Sequence, residues 1–203
     1  MAASYAKIFK DGLITENPVF RQVLGICSSL AVTNLVANTL YMGFGVTFTT
    51  ALSSFTISLM RNFIPTRIRM IVQLVIISVY VMVVEILIKA LAPDIHRFIG
   101  PYVGLIITNC IIMGRAEAFA SSNKPLASLL DGFACGLGYT AVLVAIAVVR
   151  EIMGFGTVMG WVLPARDLWW HQWTIMVMPP GAFFMLAIMT WAARARLVKQ
   201  EKK

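Results

Sequence analysis

The chain has 203 residues, of which 59% are hydrophobic and only 13% charged, with a formal net charge of +8 and a mean hydropathy of +0.82. A soluble domain carries about 25% charged and roughly 45–50% apolar residues, and a chain of this size encloses too little volume to hide so much apolar surface; 14 glycines and three cysteines exclude a collagen-like chain and a disulfide scaffold. What remains is an all-α polytopic membrane protein, and its positive charge lies between apolar runs and at the C-terminus, where bilayer topology rather than nucleic acid places it.

Residues 1–17 carry Lys7, Lys10, Asp11 and Glu16, and no small-residue cleavage site follows a short apolar core. They read as a retained cytoplasmic segment and not as a secretory signal. About 20 apolar residues cross a hydrocarbon core of about 30 Å. Six segments reach that length: residues 19–39, 40–60, 70–92, 98–114, 133–149 and 173–193. Spans two, three, five and six are clean. Span one carries Ser28, Ser29, Thr33, Asn34 and Asn38; span four carries Thr108 and Asn109 and ends in Gly114-Arg115-Ala116-Glu117. Polar side chains and irregular backbone persist at bilayer depth only where they meet protein, ligand or water. Two readings stand: helices with polar faces turned inward, or broken half-helices whose ends meet near the midplane.

With six spans and a cytoplasmic N-terminus, thirteen of the 17 Lys and Arg residues fall on the inner side. They include Arg61, Arg67, Arg69, Arg115 and Lys124, and only Lys89, Arg97, Arg150 and Arg166 fall outside. That asymmetry places both termini in the cytoplasm. Trp161, Trp169, Trp170 and Trp173 cluster before span six and read as an interfacial belt.

Three spans precede Pro93 and three follow it, dividing one integral membrane domain into halves at about 13–92 and 98–193. Weak matches recur in the same order. Leu24-Gly25-Ile26-Cys27 answers Thr108-Asn109-Cys110, Gly43-Phe44-Gly45 answers Gly136-Leu137-Gly138, and Met60-Arg61-Asn62 answers Val149-Arg150-Glu151. Halves with an odd number of spans run in opposite directions across the bilayer, which makes a 3+3 inverted repeat.

Of the three cysteines, none forms a Cys-x-x-Cys pair. A free cysteine in a membrane helix is usually a small packing residue, and Cys135 reads so. Cys27 and Cys110 differ, because they occupy equivalent places in the two interrupted spans beside the polar Ser28 and Asn109. Two thiolates are half of a four-cysteine iron–sulfur or zinc site, so a second polypeptide would supply the rest. Glu85 and Asp131 are candidates for ion coupling, since a carboxylate at membrane depth is functional by default. The plainer reading pairs Glu85 with Lys89 one turn on and makes Asp131 an N-terminal cap of span five.

The stretch Val103–Ala120, with Thr108-Asn109-Cys110 and Gly114-Arg115-Ala116-Glu117 inside it, closely resembles the signature of one family. These are the paired membrane subunits of the sodium-pumping NADH:quinone oxidoreductase and of the related Rnf complex. Leu24-Gly25-Ile26-Cys27, Asp131-Gly132-Phe133, Arg150-Glu151-Ile152 and Pro179-Pro180-Gly181-Ala182-Phe183 extend the resemblance over roughly residues 13–193. The tracts Arg69–Ile77 and Val83–Ala90 look more like the Nqr branch than the Rnf branch. An RnfE subunit of the Rnf ferredoxin:NAD oxidoreductase, or a secondary cation transporter, is the alternative.

The resemblance implies six helices with half-helices at spans one and four. It implies a pseudo-symmetric heterodimer with an NqrE-like homologous subunit of opposite orientation, in a bacterial inner membrane. Each partner would give two cysteines, here Cys27 and Cys110, to one [2Fe–2S] cluster between them, with Ser28, Thr108 and Asn109 as its polar neighbours. The cluster would relay electrons across the membrane, coupled to Na+ transport. NADH oxidation, flavins and ubiquinone reduction would belong to NqrF, NqrB and NqrC, with an NqrA-like subunit completing the complex. In keeping with this division, the chain has no Gly-x-Gly-x-x-Gly after a strand and no Walker A motif.

Overall fold

The computed structural model describes residues 19, 24–91, 100, 102–155, 157–158, 161–162 and 178–201. The N-terminal segment, Pro93, Arg97, Arg166 and three of the four clustered tryptophans (Trp169, Trp170 and Trp173) lie outside the described residues, as does the first part of span six. The described elements are helical except for one two-stranded hairpin. In order they are α1 (Ile26–Val32), α2 (Val36–Met60), a 3-10 turn (Thr66–Ile68), α3 (Arg69–Leu91) and α4 (residues 102–107). Then come α5 (Cys110–Arg115), running on as a π-helix over Ala116–Ala120, α6 (Pro125–Phe155), β1 (Thr157–Val158), β2 (Trp161–Val162) and α7 (Pro179–Glu201). The hairpin pairs Thr157 with Val162 and Val158 with Trp161.

Four helices are long and apolar enough to cross a bilayer: Val36–Met60, Arg69–Leu91, Tyr102–Ala120 and Pro125–Gly154. Pro180–Ala192 is a shorter apolar stretch. Span two begins at Val36 rather than Leu40. Span five begins at Pro125 rather than Phe133, because Ser128 and Asp131 are buried by neighbouring helices and the first turns need no apolar coat. The proline stands at the helix start, where its missing N–H costs nothing.

The centre of the molecule is the antiparallel pair α2 and α6. At one end the Val36 N–H donates to Glu151 Oε2 at 2.8 Å. At the other, Ser58 Oγ and Arg61 Nη1 donate to the Asn123 carbonyl at 2.6 and 2.9 Å. From Val36 to Ser58 the helix climbs about 33 Å, close to the hydrocarbon thickness of about 30 Å. Glycines four apart let the backbones close up, the same device that packs membrane helices generally. A Cβ on Gly132 would stand 2.9 Å from the Thr50 carbonyl oxygen, and one on Gly136 would stand 2.7 Å from Thr47 Cα.

Midway, the contacts are reciprocal. Gly43 of α2 faces Thr140 of α6, and Gly136 of α6 faces Thr47 of α2. The two threonine hydroxyls meet at 3.2 Å, and each hydrogen-bonds the carbonyl four residues back, Gly43 and Gly136 respectively, at 2.8 Å. Such back-bonding lets α2 carry the buried Thr47, Thr50 and Ser53 in an apolar environment, because the hydroxyls are satisfied within the helix.

The helix α3 flanks this centre. Its buried residues, Gln73, Ile77, Val81 and Val84, form one stripe at helical spacing. Met70, Ile71, Val75, Val79 and Ile86 are exposed, which is the surface expected of a helix facing lipid or a neighbouring subunit.

Candidate functional site

Spans one and four are interrupted where the sequence places their polar residues. The helix α4 stops with the Asn109 N–H bonded to Ile106 O at 3.2 Å, and α5 restarts at once with Asn109 as its cap. The Asn109 side-chain oxygen accepts from the Ile111 N–H at 3.1 Å, the bond an N-cap asparagine supplies. In span one, α1 starts after Gly25, whose φ of 84° only glycine adopts without strain. A Cβ there would also meet Ile111 Cδ1 at 2.7 Å and Tyr139 Cε2 at 2.9 Å, so Gly25 fills a slot cut for it.

The helix starts at Gly25 and Asn109 bring Cys27 and Cys110 together. Cys27 is in the first turn of α1 and Cys110 opens α5, and their sulfurs are 4.0 Å apart. Cys27 is exposed and Cys110 half-buried. From Cys110 to the end of the π-helix at Ala120 is about 15 Å of rise, half of a hydrocarbon thickness of about 30 Å. The positive ends of α1 and α5 both lie at the pair and favour negatively charged sulfur there.

The separation is too long for a disulfide, whose bond is about 2.05 Å. It is close to the roughly 3.8 Å between two sulfurs held at about 2.3 Å by one tetrahedral ion. The donor set, two soft sulfurs, suits iron–sulfur or zinc chemistry. The third cysteine, Cys135, is buried and points its thiol at Asp131 Oδ1, 3.9 Å away. A four-thiolate centre on the pair therefore takes its other two sulfurs from another chain. Among the described residues no group of three or more His, Cys, Asp or Glu could hold a metal on its own.

Ser28 and Asn109 are drawn into one network behind the sulfurs. Ser28 Oγ donates to the Gly25 carbonyl at 3.2 Å, receives a hydrogen bond from Asn109 Nδ2 at 3.4 Å, and is bonded to the Tyr139 hydroxyl. A serine has one donor and two acceptor sites, so the three partners saturate it. Both side chains tie the half-helices to each other. Thr108 is exposed in the turn between α4 and α5, outside this network.

The two acidic candidates lie at different levels. Asp131 is seven residues into α6 and does not cap it; it is buried and clasped by Arg115, whose Nε donates to Oδ2 at 3.0 Å and whose Nη2 bonds Oδ1. The Arg115 guanidinium also lies over the Phe119 ring, 5.4 Å from its centroid. Glu85 is half-buried on α3, about 24 Å of rise beyond Arg69. Arg69 stands at the opposite end of α3, where with Gln73 it binds the Glu117 carboxylate of the π-helix at 3.0 and 2.9 Å.

Sequence reasoning missed Tyr139, Glu151 and the Arg115–Asp131 clasp. At the end of the molecule away from Arg69, Arg150 donates to Thr33 Oγ1 at 2.6 Å and to Met178 O at 3.3 Å, while Glu151 holds the start of α2. The spacing Asp131, Cys135, Tyr139 was the available signal: residues four apart share one face of a helix, and this face meets α5 and α1.

Residues 5–190 match the family described as Rnf-Nqr subunit, membrane protein. The chain belongs to the Rnf-Nqr family. Curated relatives are named as the D subunit of the Na(+)-translocating NADH-quinone reductase. That of Chlamydia pneumoniae is 44% identical over 208 residues, covering 98% of each chain. That of Psychromonas ingrahamii is 45% identical over 190 residues, covering 92% of this chain and 90% of its own. That of Chlamydia caviae is 43% identical over 98% of each chain. The resemblance read from the Val103–Ala120 stretch is thus shown, and this Rnf-Nqr chain is a multi-pass membrane protein. The same stretch contains the break, its cap, Cys110, Arg115 and Glu117.

Proposed function

We propose that this chain is a membrane subunit of a Na+-translocating NADH:quinone reductase complex in which Cys27 and Cys110 supply half the ligands of an intramembrane [2Fe–2S] cluster. The observation that carries the reading is the 4.0 Å sulfur pair formed at the starts of α1 and α5. The relatives' names support the Nqr complex over the Rnf complex. When bound, the cluster supplies one-electron transfer.

The chain's own residues do the holding. Gly25 and Asn109 set where α1 and α5 begin, and the Ser28 network joins them. The buried Arg115–Asp131 pair fastens α5 to α6. The paired helix ends offset part of the unfavourable burial of negative charge. The remaining two thiolates come from a homologous NqrE-like subunit of opposite orientation, for which the exposed edge of Cys27 leaves room. NADH, flavins and quinone are handled by the other subunits, NqrA, NqrB, NqrC and NqrF.

The same proposal includes six spans in a 3+3 inverted repeat, an inner-membrane location and cytoplasmic termini. The repeat is supported by the reciprocal packing of Gly43 on Thr140 and Gly136 on Thr47, the relation a two-fold axis generates, and the cytoplasmic termini by the distribution of Lys and Arg along the chain.

In the purified complex, Cys27→Ala or Cys110→Ala removes the cluster's visible absorbance and its iron and stops electron flow to quinone. Cys135→Ala leaves both intact. Wild-type iron in the Cys110→Ala complex refutes the assignment.

A further inference from the structure

Tyr139 is completely buried on α6, yet its hydroxyl reaches Ser28 of α1, a side chain that is itself bonded to the cap of α5. Ser28 is the neighbour of Cys27, and Asn109, which donates to Ser28 at 3.4 Å, is the neighbour of Cys110. The ring of Tyr139 lies against Gly25, so close that a Cβ on that glycine would be 2.9 Å from Cε2. Long helix, half-helix and half-helix are therefore joined at one hydroxyl, directly behind the two sulfurs. An apolar ring would fill the same space, so packing alone does not explain a phenol at this depth. The hydroxyl restrains two helices of barely two turns each.

We propose that Tyr139 is a positioning residue for the cysteine pair: through Ser28 its phenol fixes α1 against α5 and so sets the gap between the Cys27 and Cys110 sulfurs. The proposal rests on the reading of those cysteines as cluster ligands, and it concerns how they are held, not whether they bind iron. Without the phenol hydroxyl, Ser28 keeps an empty acceptor site. The angle between α1 and α5 then has a softer restraint, and the two sulfurs spend less time at the ligating distance.

Tyr139→Phe keeps the ring and deletes only the hydroxyl, which separates positioning from packing. It is made in the whole complex, with Ser28→Ala as a second variant that cuts the same link if the first fails to assemble. Two measurements are made. In the iron-loaded complex, the rate of iron loss to a chelator and the paramagnetic resonance spectrum of the reduced cluster are recorded. In iron-stripped complex carrying Cys135→Ala, the rate at which copper phenanthroline oxidises Cys27 and Cys110 to a disulfide is recorded. The expected result is faster iron loss and slower disulfide trapping, each by about fivefold, the scale of one lost hydrogen bond, with a broadened cluster spectrum. Wild-type spectrum and rates in both variants overturn the proposal, as does faster trapping. Iron retained by Cys110→Ala would instead overturn the cluster reading, and the trapping rate alone would then decide the role of Tyr139.

Discussion

Asp131 and Glu85 look alike in the sequence, as single carboxylates within apolar runs, and the structure separates them. Asp131 and Arg115 are both almost wholly buried and neutralise each other. Breaking such a pair from one side strands a charge, which costs about 3–5 kcal/mol. Asp131→Ala or Arg115→Ala is expected to destabilise the chain on that scale, read as a drop in the thermal midpoint of the complex. Replacing both together, Asp131→Leu with Arg115→Met, restores most of the loss. Glu85 lies on a helix that is otherwise largely exposed, and it stays the proposed candidate for ion coupling. Glu85→Gln is expected to raise the Na+ concentration giving half-maximal quinone reductase activity while leaving the iron content unchanged. An unchanged half-saturation places the ion route in another subunit.

At the level of helices, residue type revealed the breaks but hydropathy misjudged the lengths. Serine, threonine and asparagine in spans one and four pointed either to interruptions or to inward polar faces, and the matching places read for Cys27 and Cys110 pointed to their meeting. The early start of α6 was hidden, because hydropathy treats Ser128 and Asp131 as facing water when a neighbouring helix solvates them instead. The Tyr139 hydroxyl and the Glu151 contact were hidden for the same reason: both depend on residues more than a hundred positions away. Helix packing offers a sharp test. Gly136→Ala sets a methyl 2.7 Å from the Thr47 backbone and forces α2 and α6 apart, at about 1–3 kcal/mol. Gly104 has nothing within 4 Å of a Cβ, so Gly104→Ala is expected to be neutral or mildly stabilising. Thermal midpoints of the two variants, measured side by side, check the contrast.

Across the whole molecule the two ends differ in charge. Arg61, the Asn123 turn, Arg69 and Glu117 gather at one end, while Thr33, Arg150, Glu151 and Met178 gather at the other. The excess of Lys and Arg at the first end supports the proposal that it faces the cytoplasm. Reporters fused after Ser122 are expected to report a cytoplasmic position, and those fused after Val158 an external one. The reverse pattern would invert the protein and remove the support for cytoplasmic termini.

The exposed sulfur of Cys27 has a consequence for how such a complex comes into being. A site with two thiolates on one polypeptide and two on another acts as a two-key lock. On the proposed reading of Cys27 and Cys110, either subunit alone would offer iron half a grip and an open side, and would stay colourless and pass no electrons. Only a correctly matched pair would close the coordination sphere, and a mispaired or orphaned subunit would not leak electrons to oxygen. Colour in the membrane would then be a certificate of assembly, issued by the metal itself.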